Sequence, residues 1–415
     1  MKLIAFLLSL PLSTRLLLVA IILKSLVNSG LFILLMLAGT HLGASWWVTA
    51  IALATLIPGV LFAPALGWLV DRVDVKTAWI AALLVSGICV IGIALAPSPF
   101  IMVALVAIEA LFSIVFGTAV FKLLPQAEGM DRDRANSFYV GIGLVIGISA
   151  PPLAALVSTI GTDFGFFLFG TLYIVSAIII WRLSPTSSLK IEVDKTNWHE
   201  VWLGSKAIKH FKPIRLLIPV ILGGAIATSI EAVAGVFWLQ EVAGGAVGYA
   251  LLLSAWTLGS LSGAAVAGRK WFKVSTRESL LLGGLLMALA ILVEGAIPVA
   301  AIIGIAFLFG GFGNGVHNIA IRNLVYEQVP KEQQAQAWAV QGAAFSAAVA
   351  IGNVLGTPGL IAAEVSTTII IAGGTGVVLV VGTYLAIALA SLRILSHKSI
   401  CDWLPKKLYK TQCDM

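Results

Sequence analysis

Residues 67–79, GWLVDRVDVKTAW, set Asp71, Arg72, Asp74 and Lys76 within six positions of a chain that is 60% hydrophobic and 11% charged. Apolar runs press on this stretch from both sides. A soluble globular protein is roughly 25% charged, and a mean hydropathy of +1.04 over 415 residues leaves too little polar surface to coat one of this size. The bilayer is the solvent that this composition asks for. The charged stretch is then a tight loop between two membrane spans.

Runs of about 20 apolar residues can cross the hydrocarbon as helices. Charges, prolines and polar clusters divide the chain into twelve such spans: 14–39, 46–70, 78–96, 100–122, 135–160, 164–183, 214–240, 247–268, 278–296, 298–322, 335–362 and 367–395. The short gaps 97–99 and 161–165 must be tight turns. Cytoplasmic loops are enriched in Lys and Arg, which tests the count. With the N-terminus placed inside, 25 of the 26 Lys and Arg fall in the two tails, in even-numbered loops or at their helix ends; the exception is Lys24. The opposite loops, near 40–46, 97–99, 161–165, 241–247, 294–298 and 363–366, carry neither. Both termini are therefore expected in the cytoplasm, and the net charge of +7 reflects this bias rather than nucleic-acid binding.

The start, MKLIAFLLSLPLS, imitates a signal peptide, but the following Thr14-Arg15 offers no small-residue cleavage pattern. Residues 1–13 are read as an apolar lead-in lying on the membrane surface. Residues 14–184 form the first six-span bundle, 185–213 a cytoplasmic linker, 214–395 the second bundle and 396–415 a cytoplasmic tail. Ile191, Trp198, Val201, Trp202 and Ile208 in the linker suit an amphipathic helix on the inner leaflet, and a plain solvated linker is the alternative.

The two halves echo each other at a shift of 200 residues. FKLLPQAEGMDRDRAN (121–136) aligns with IRNLVYEQVPKEQQAQ (321–336), and the same shift pairs Gly59 with Gly259 and Ser29 with Ser229. Many secondary transporters are built from repeated halves, with substrate held between them near the midplane.

The loop GWLVDRVDVKTAW resembles the signature loop of the major facilitator superfamily, G-x-L-x-D-[RK]-x-G-x-[RK]-[RK]. Gly67, Leu69, Asp71, Arg72 and Lys76 match; Asp74 stands where the family has Gly, and Thr77 where it has a second basic residue. The resemblance implies an all-α membrane protein of two pseudo-symmetric six-helix bundles that moves a small molecule by alternating access. It makes Gly67, Asp71, Arg72 and Lys76 a conformational latch. Asp71 would cap a helix start across the bundle interface, with Arg72 and Lys76 among lipid phosphates or loop carboxylates. In the second half GRKWFKVSTRES (268–279) has no Asp, so one latch is intact. The plainer reading is that these charges merely end two helices.

LFGGFGNGVHNIAIRNLVYEQVP (308–330) and the PKEQQAQAW that it runs into look like the macrolide and siderophore exporter branch. Many drug–proton antiporters carry R-x-x-x-G in span four, where this chain has Glu109, a departure from the usual antiport mechanism. LFAP (61–64) is similar to lysophospholipid transporters, which makes a lipid flippase the rival. A receptor or scaffold on a transporter fold is a third class, and an integral-membrane enzyme a weaker one.

Gly141-x-Gly143-x-x-x-Gly147 and Gly310-Gly311-x-Gly313-x-Gly315 lack the lysine of a phosphate loop and suit close helix packing instead. Pro58, Pro64, Pro151 and Pro152 read as bends inside helices. Trp238 and Trp256 suit packing, or a substrate platform. Neither the cysteines nor the histidines have a metal-ligand spacing, and no cofactor is expected. The expected partners are a small-molecule substrate, protons and membrane lipids, with the protein a monomer in the cell (inner) membrane.

Ionisable residues inside spans are costly and are functional candidates by default. Lys24, Glu109, Glu231 and His317 lie well inside spans one, four, seven and ten, the helices that line the cavity in the superfamily. At ~1.5 Å per residue, Lys24 and Glu109 both fall near the midplane and could pair. Glu231 falls in the outer half and His317 toward the inside. Asn28, Asn314 and Asn318 supply nearby polar contacts. Glu231 or Glu109 is the expected proton-exchanging carboxylate, against structural ion pairs that never meet substrate.

Overall fold

A lipid-embedded backbone must satisfy its own N–H and C=O groups, and helices do so within one segment. The computed structural model describes residues 10–70, 73–127, 132–183, 212–269, 272–329 and 334–402. Among them are twelve long α-helices and no strand. In chain order these are α1 Leu12–Thr40, α2 Trp46–Val70, α3 Val75–Ala94, α4 Pro99–Leu123, α5 Arg132–Ile160, α6 Thr162–Arg182, α7 Lys212–Val242, α8 Ala246–Ala267, α9 Thr276–Ala296, α10 Ala300–Gln328, α11 Gln334–Leu355 and α12 Val365–Asp402. Ten of these are long and apolar enough to cross a membrane over their described residues; α2 and α11 contribute the shorter apolar stretches Trp46–Phe62 and Val340–Leu355.

Local chemistry sets the boundaries. The Asp74 carboxylate accepts from the Thr77 N–H at 2.8 Å and from its hydroxyl at 2.8 Å, capping α3. An acid at the family's glycine position thus has a local role, and α3 starts three residues before the expected 78. Ser275 and Glu278 form a reciprocal capping box on α9. Gly161, with φ of 155°, is the whole connection between α5 and α6, tighter than the expected gap. α11 stops at Leu355 rather than 362 because Gly356, Pro358 and Gly359, the last with φ of 86°, turn the chain. No Gly or Pro interrupts the end of α12 before Pro405, and it continues past 395 to Asp402. Pro151 and Pro152 lie inside α5 and Pro219 inside α7.

The second six helices repeat the packing of the first. α1 lies against α5 and α6, as α7 does against α11 and α12; α3 lies against α4 and α6, as α9 does against α10 and α12. The α8–α10 seam explains the glycines of span ten. A Cβ on Gly311 would collide with the Trp256 carbonyl, one on Gly315 with that of Ser260, and one on Gly263 with that of Phe312. Trp256 packs edge-on against Phe307, ring centroids 5.5 Å apart.

The bundles meet through α5 with α8, α2 with α11 and α1 with α7. One apolar core runs across both at the end bearing the Lys- and Arg-free loops, from Leu34, Val48 and Ile51 to Val236, Leu239, Tyr249 and Phe307. Thr49 and Thr357 bond there at 2.7 Å, and the Ser254 hydroxyl donates to the Ile148 carbonyl at 2.9 Å. Among the described residues the contacts lapse toward the basic loops. Gly147 still touches Thr257, but a methyl on Gly141, Gly143 or Gly342 would meet nothing within 4 Å. Among the described residues the two bundles are packed together at one end and parted at the other. The lead-in up to residue 9, the linker 184–211 and the tail from 403 lie outside the described residues.

Candidate functional site

Lys24 of α1 is buried, 3% exposed, yet it has polar neighbours. Its ammonium donates to Asn28 Oδ1 at 2.9 Å and bonds Ser113 Oγ at 2.9 Å, and it sits 4.1 Å from the Phe116 ring centroid. Ser113 also donates to Asn28 Oδ1 at 2.8 Å. A four-residue step along α1 puts Lys24 and Asn28 on one face, and α4 supplies Ser113 and Phe116 opposite. Buried Glu109, one turn before Ser113, accepts from the Tyr173 hydroxyl of α6 at 2.8 Å. Among the described residues Lys24 and Glu109 make no direct ion pair; each has its own hydroxyl partner.

Two recesses meet at this group. The larger, about 460 Å³, is lined by Lys24, Asn28, Ser113, Phe116, Tyr139 and Ile146 among others. The second, about 310 Å³, shares Asn28, Ser113 and Ile114 and reaches Glu109. Tyr139 and Gly143 put the larger recess on the open side of α5. One cation, a carboxyl, an amide, several hydroxyls and aromatic rings thus converge on apolar walls. That is the composition of a small-molecule site.

The other predicted residues fall elsewhere. Buried His317 bonds the Leu280 carbonyl on α9 through Nδ1 at 2.9 Å. Asn314 accepts from Ser260 at 3.1 Å and from Asn318 at 3.0 Å. Glu231 lies beside Glu294 of α9, a buried acid that sequence reasoning leaves at a loop end. It misses Tyr173 and Ser113 too, since hydroxyls inside apolar spans are common. The helical positions of Glu109 and Ser113, one turn apart on α4, are the available signal for Ser113.

In the charged loop, Gly67 is on α2, and Asp71 and Arg72 lie outside the described residues. Lys76, expected among lipid phosphates, instead donates to the carbonyls of Trp181, at 3.2 Å, and Leu183. It thereby serves the orphan acceptors at the end of α6.

The sequence profile of the Major Facilitator Superfamily matches residues 16–353. The chain belongs to the major facilitator superfamily. Solved major facilitator transporters agree in fold. The nucleoside transporter NupG superposes with a TM-score of 0.74 at 15% identity, over 90% of this chain and 99% of that one. A POT family transporter in complex with 5-aminolevulinic acid gives 0.70 at 14% identity, over 92% and 97%. A bacterial homolog of the human lysosomal transporter Spinster, inward-facing and unoccupied, gives 0.65 at 14%, over 91% and 95%. No curated protein matches the chain. This major facilitator protein is a membrane transporter rather than an enzyme, and the likeness to these structures concerns the fold alone.

Proposed function

We propose that this transporter exports an amphipathic or hydrophobic small molecule, drug- or siderophore-like, across the cell (inner) membrane in exchange for protons, acting as a monomer with both termini in the cytoplasm. The observation that carries the reading is the Lys24 ammonium held by Asn28 and Ser113 in a recess open toward the basic loops. Those loops are the cytoplasmic ones on the positive-inside bias, so the open end would load from inside. A substrate filling this recess presents an apolar body to Phe116, Ile146 and Tyr139. It presents an acceptor or anionic group to Lys24.

Asn314 and Asn318 are proposed to line the opposing wall, and Glu109 and Glu231 are the candidates for proton exchange. Asp71, Arg72, Gly67 and Lys76 are proposed to latch one state of the cycle. The same cation and apolar wall suit the phosphate and acyl chain of a lysophospholipid, which makes a lipid flippase the second reading.

A thermal-shift screen of purified protein against antibiotics, siderophores and lysolipids tests the assignment. The stabilising compounds should be amphipaths with an acceptor or acid, and Lys24→Ala should lose the shift. A lysolipid-only pattern would favour the flippase. Compounds that stabilise Lys24→Ala as well as the wild type would overturn the site.

A further inference from the structure

The buried acid that the recess does not use lies on the far side of the second bundle. Glu294, in the last turn of α9, is 0% exposed, and neither of its carboxyl oxygens has a hydrogen-bond partner. Beside it is Glu231 of α7, which is only half-buried. Both acids aim at the hydrogen-only flank of Gly235. A Cβ there would sit 2.9 Å from Glu231 Oε1 and 3.0 Å from Glu294 Oε1, so the two oxygens are no farther apart than those distances together. The Trp238 indole N–H donates to the Glu294 backbone carbonyl at 2.9 Å, tying the end of α9 to α7 without serving the carboxyl. Buried Tyr249 of α8 lies within electrostatic range of both acids. Among the described residues no Lys, Arg or His of α8, α10, α11 or α12 acts on either carboxyl.

We infer that Glu231 and Glu294 form one proton-binding site, in which two carboxyls share a single proton that enters and leaves through Glu231. Two ionised carboxylates this close, with no cation beside them among the described residues, repel strongly. A completely buried acid without a donor is also costly. One proton answers both problems, because it halves the charge and supplies the hydrogen bond that Glu294 lacks. Glu109 differs, having the Tyr173 hydroxyl and a recess shared with Lys24. The more exposed member is Glu231, on the helix that touches α1 and α2 of the first bundle; the fully buried member is on α9. Proton binding between them would therefore join a bundle-interface helix to a peripheral one. This assignment deepens the proton-exchange reading and rests on it for its role in transport, though proton binding can be measured without transport.

Infrared difference spectroscopy of the purified full-length protein in nanodiscs, titrated in pH, reads the carboxylic C=O stretch directly. The wild type should show a buried carboxyl band that titrates, unchanged when sodium replaces choline. Glu231→Gln and Glu294→Gln should each abolish or displace that titration, whereas Glu241→Gln, at the exposed end of α7, should leave it in place. Gly235→Ala, which keeps both acids but wedges a methyl between them, should displace it and guards against a folding defect in the Gln variants. The site is refuted if Glu294→Gln titrates like the wild type, if Glu241→Gln removes the band, or if sodium displaces the proton. A titrating pair together with substrate flux indifferent to a pH gradient would keep the site and sink the antiport reading instead.

Discussion

The hydroxyls of Thr49 and Thr357 meet at 2.7 Å across the two bundles, fastening the start of α2 to the turn that follows α11. The open recess around Lys24 lies toward the other end of the same molecule. Thr49→Cys with Thr357→Cys should form a disulfide under mild oxidation and hold this end closed. Transport should stop, and a reductant should restore it. A cross-linked protein that still turns over would mean that this end need not open.

Lys24 should be needed for binding more than for folding. The Ser113–Asn28 bond, at 2.8 Å, survives without it. Lys24→Ala should weaken ligand binding at least tenfold, about 1.4 kcal/mol, in equilibrium dialysis or calorimetry, with yield after purification near wild type. Equal affinity in the two proteins would remove Lys24 from the site.

Tyr173 is fully buried and gives Glu109 its hydrogen bond. Tyr173→Phe keeps the ring and deletes the donor, leaving a buried carboxyl short of a partner. The expected cost is about 1–3 kcal/mol, visible as a lower melting temperature in detergent. Glu109→Gln in the Tyr173→Phe background should recover part of it, since a neutral amide needs less compensation. No change in melting on Tyr173→Phe would mean that Glu109 is served otherwise.

The charged loop separates two roles. Lys76→Ala releases the carbonyls at the end of α6 and should cost about 0.3–1 kcal/mol of stability, as end-of-helix cations do. Asp71→Asn should leave expression nearly unchanged and severely slow transport; an equilibrium shift of ~1.4 kcal/mol is a tenfold change in the ratio of two states. Wild-type flux in Asp71→Asn would return that charge to a plain helix end.

The helices are legible in the sequence because lipid leaves the backbone little choice, so apolar runs and the Lys and Arg distribution carry both number and order. Their ends are less so. The apolar run to 362 crosses Gly356, Pro358 and Gly359, greasy enough to resemble a span but unable to stay helical. The site is legible where a charge interrupts an apolar run, as at Lys24 and Glu109. Their partners Ser113 and Tyr173 cannot be read, because pairing across helices depends on rotation about each axis, which a sequence this uniformly apolar does not mark. Glu294 escapes for a related reason. It lies at a span end, where an acid is ordinarily solvated, and only the packing of neighbouring helices around the end of α9 buries it.

Alternating access about the Lys24 recess is most directly tested by spin-label distances at both ends of one protein, in a background with the native cysteines replaced by serine. One pair, His41→Cys and Leu360→Cys, reports the closed end; the other, Tyr139→Cys and Trp338→Cys, reports the open end. Across a pH titration, and on adding a ligand found by the screen, the first distance should lengthen as the second shortens. Distances that both stay fixed, or that change in the same sense, would contradict alternating access about this recess.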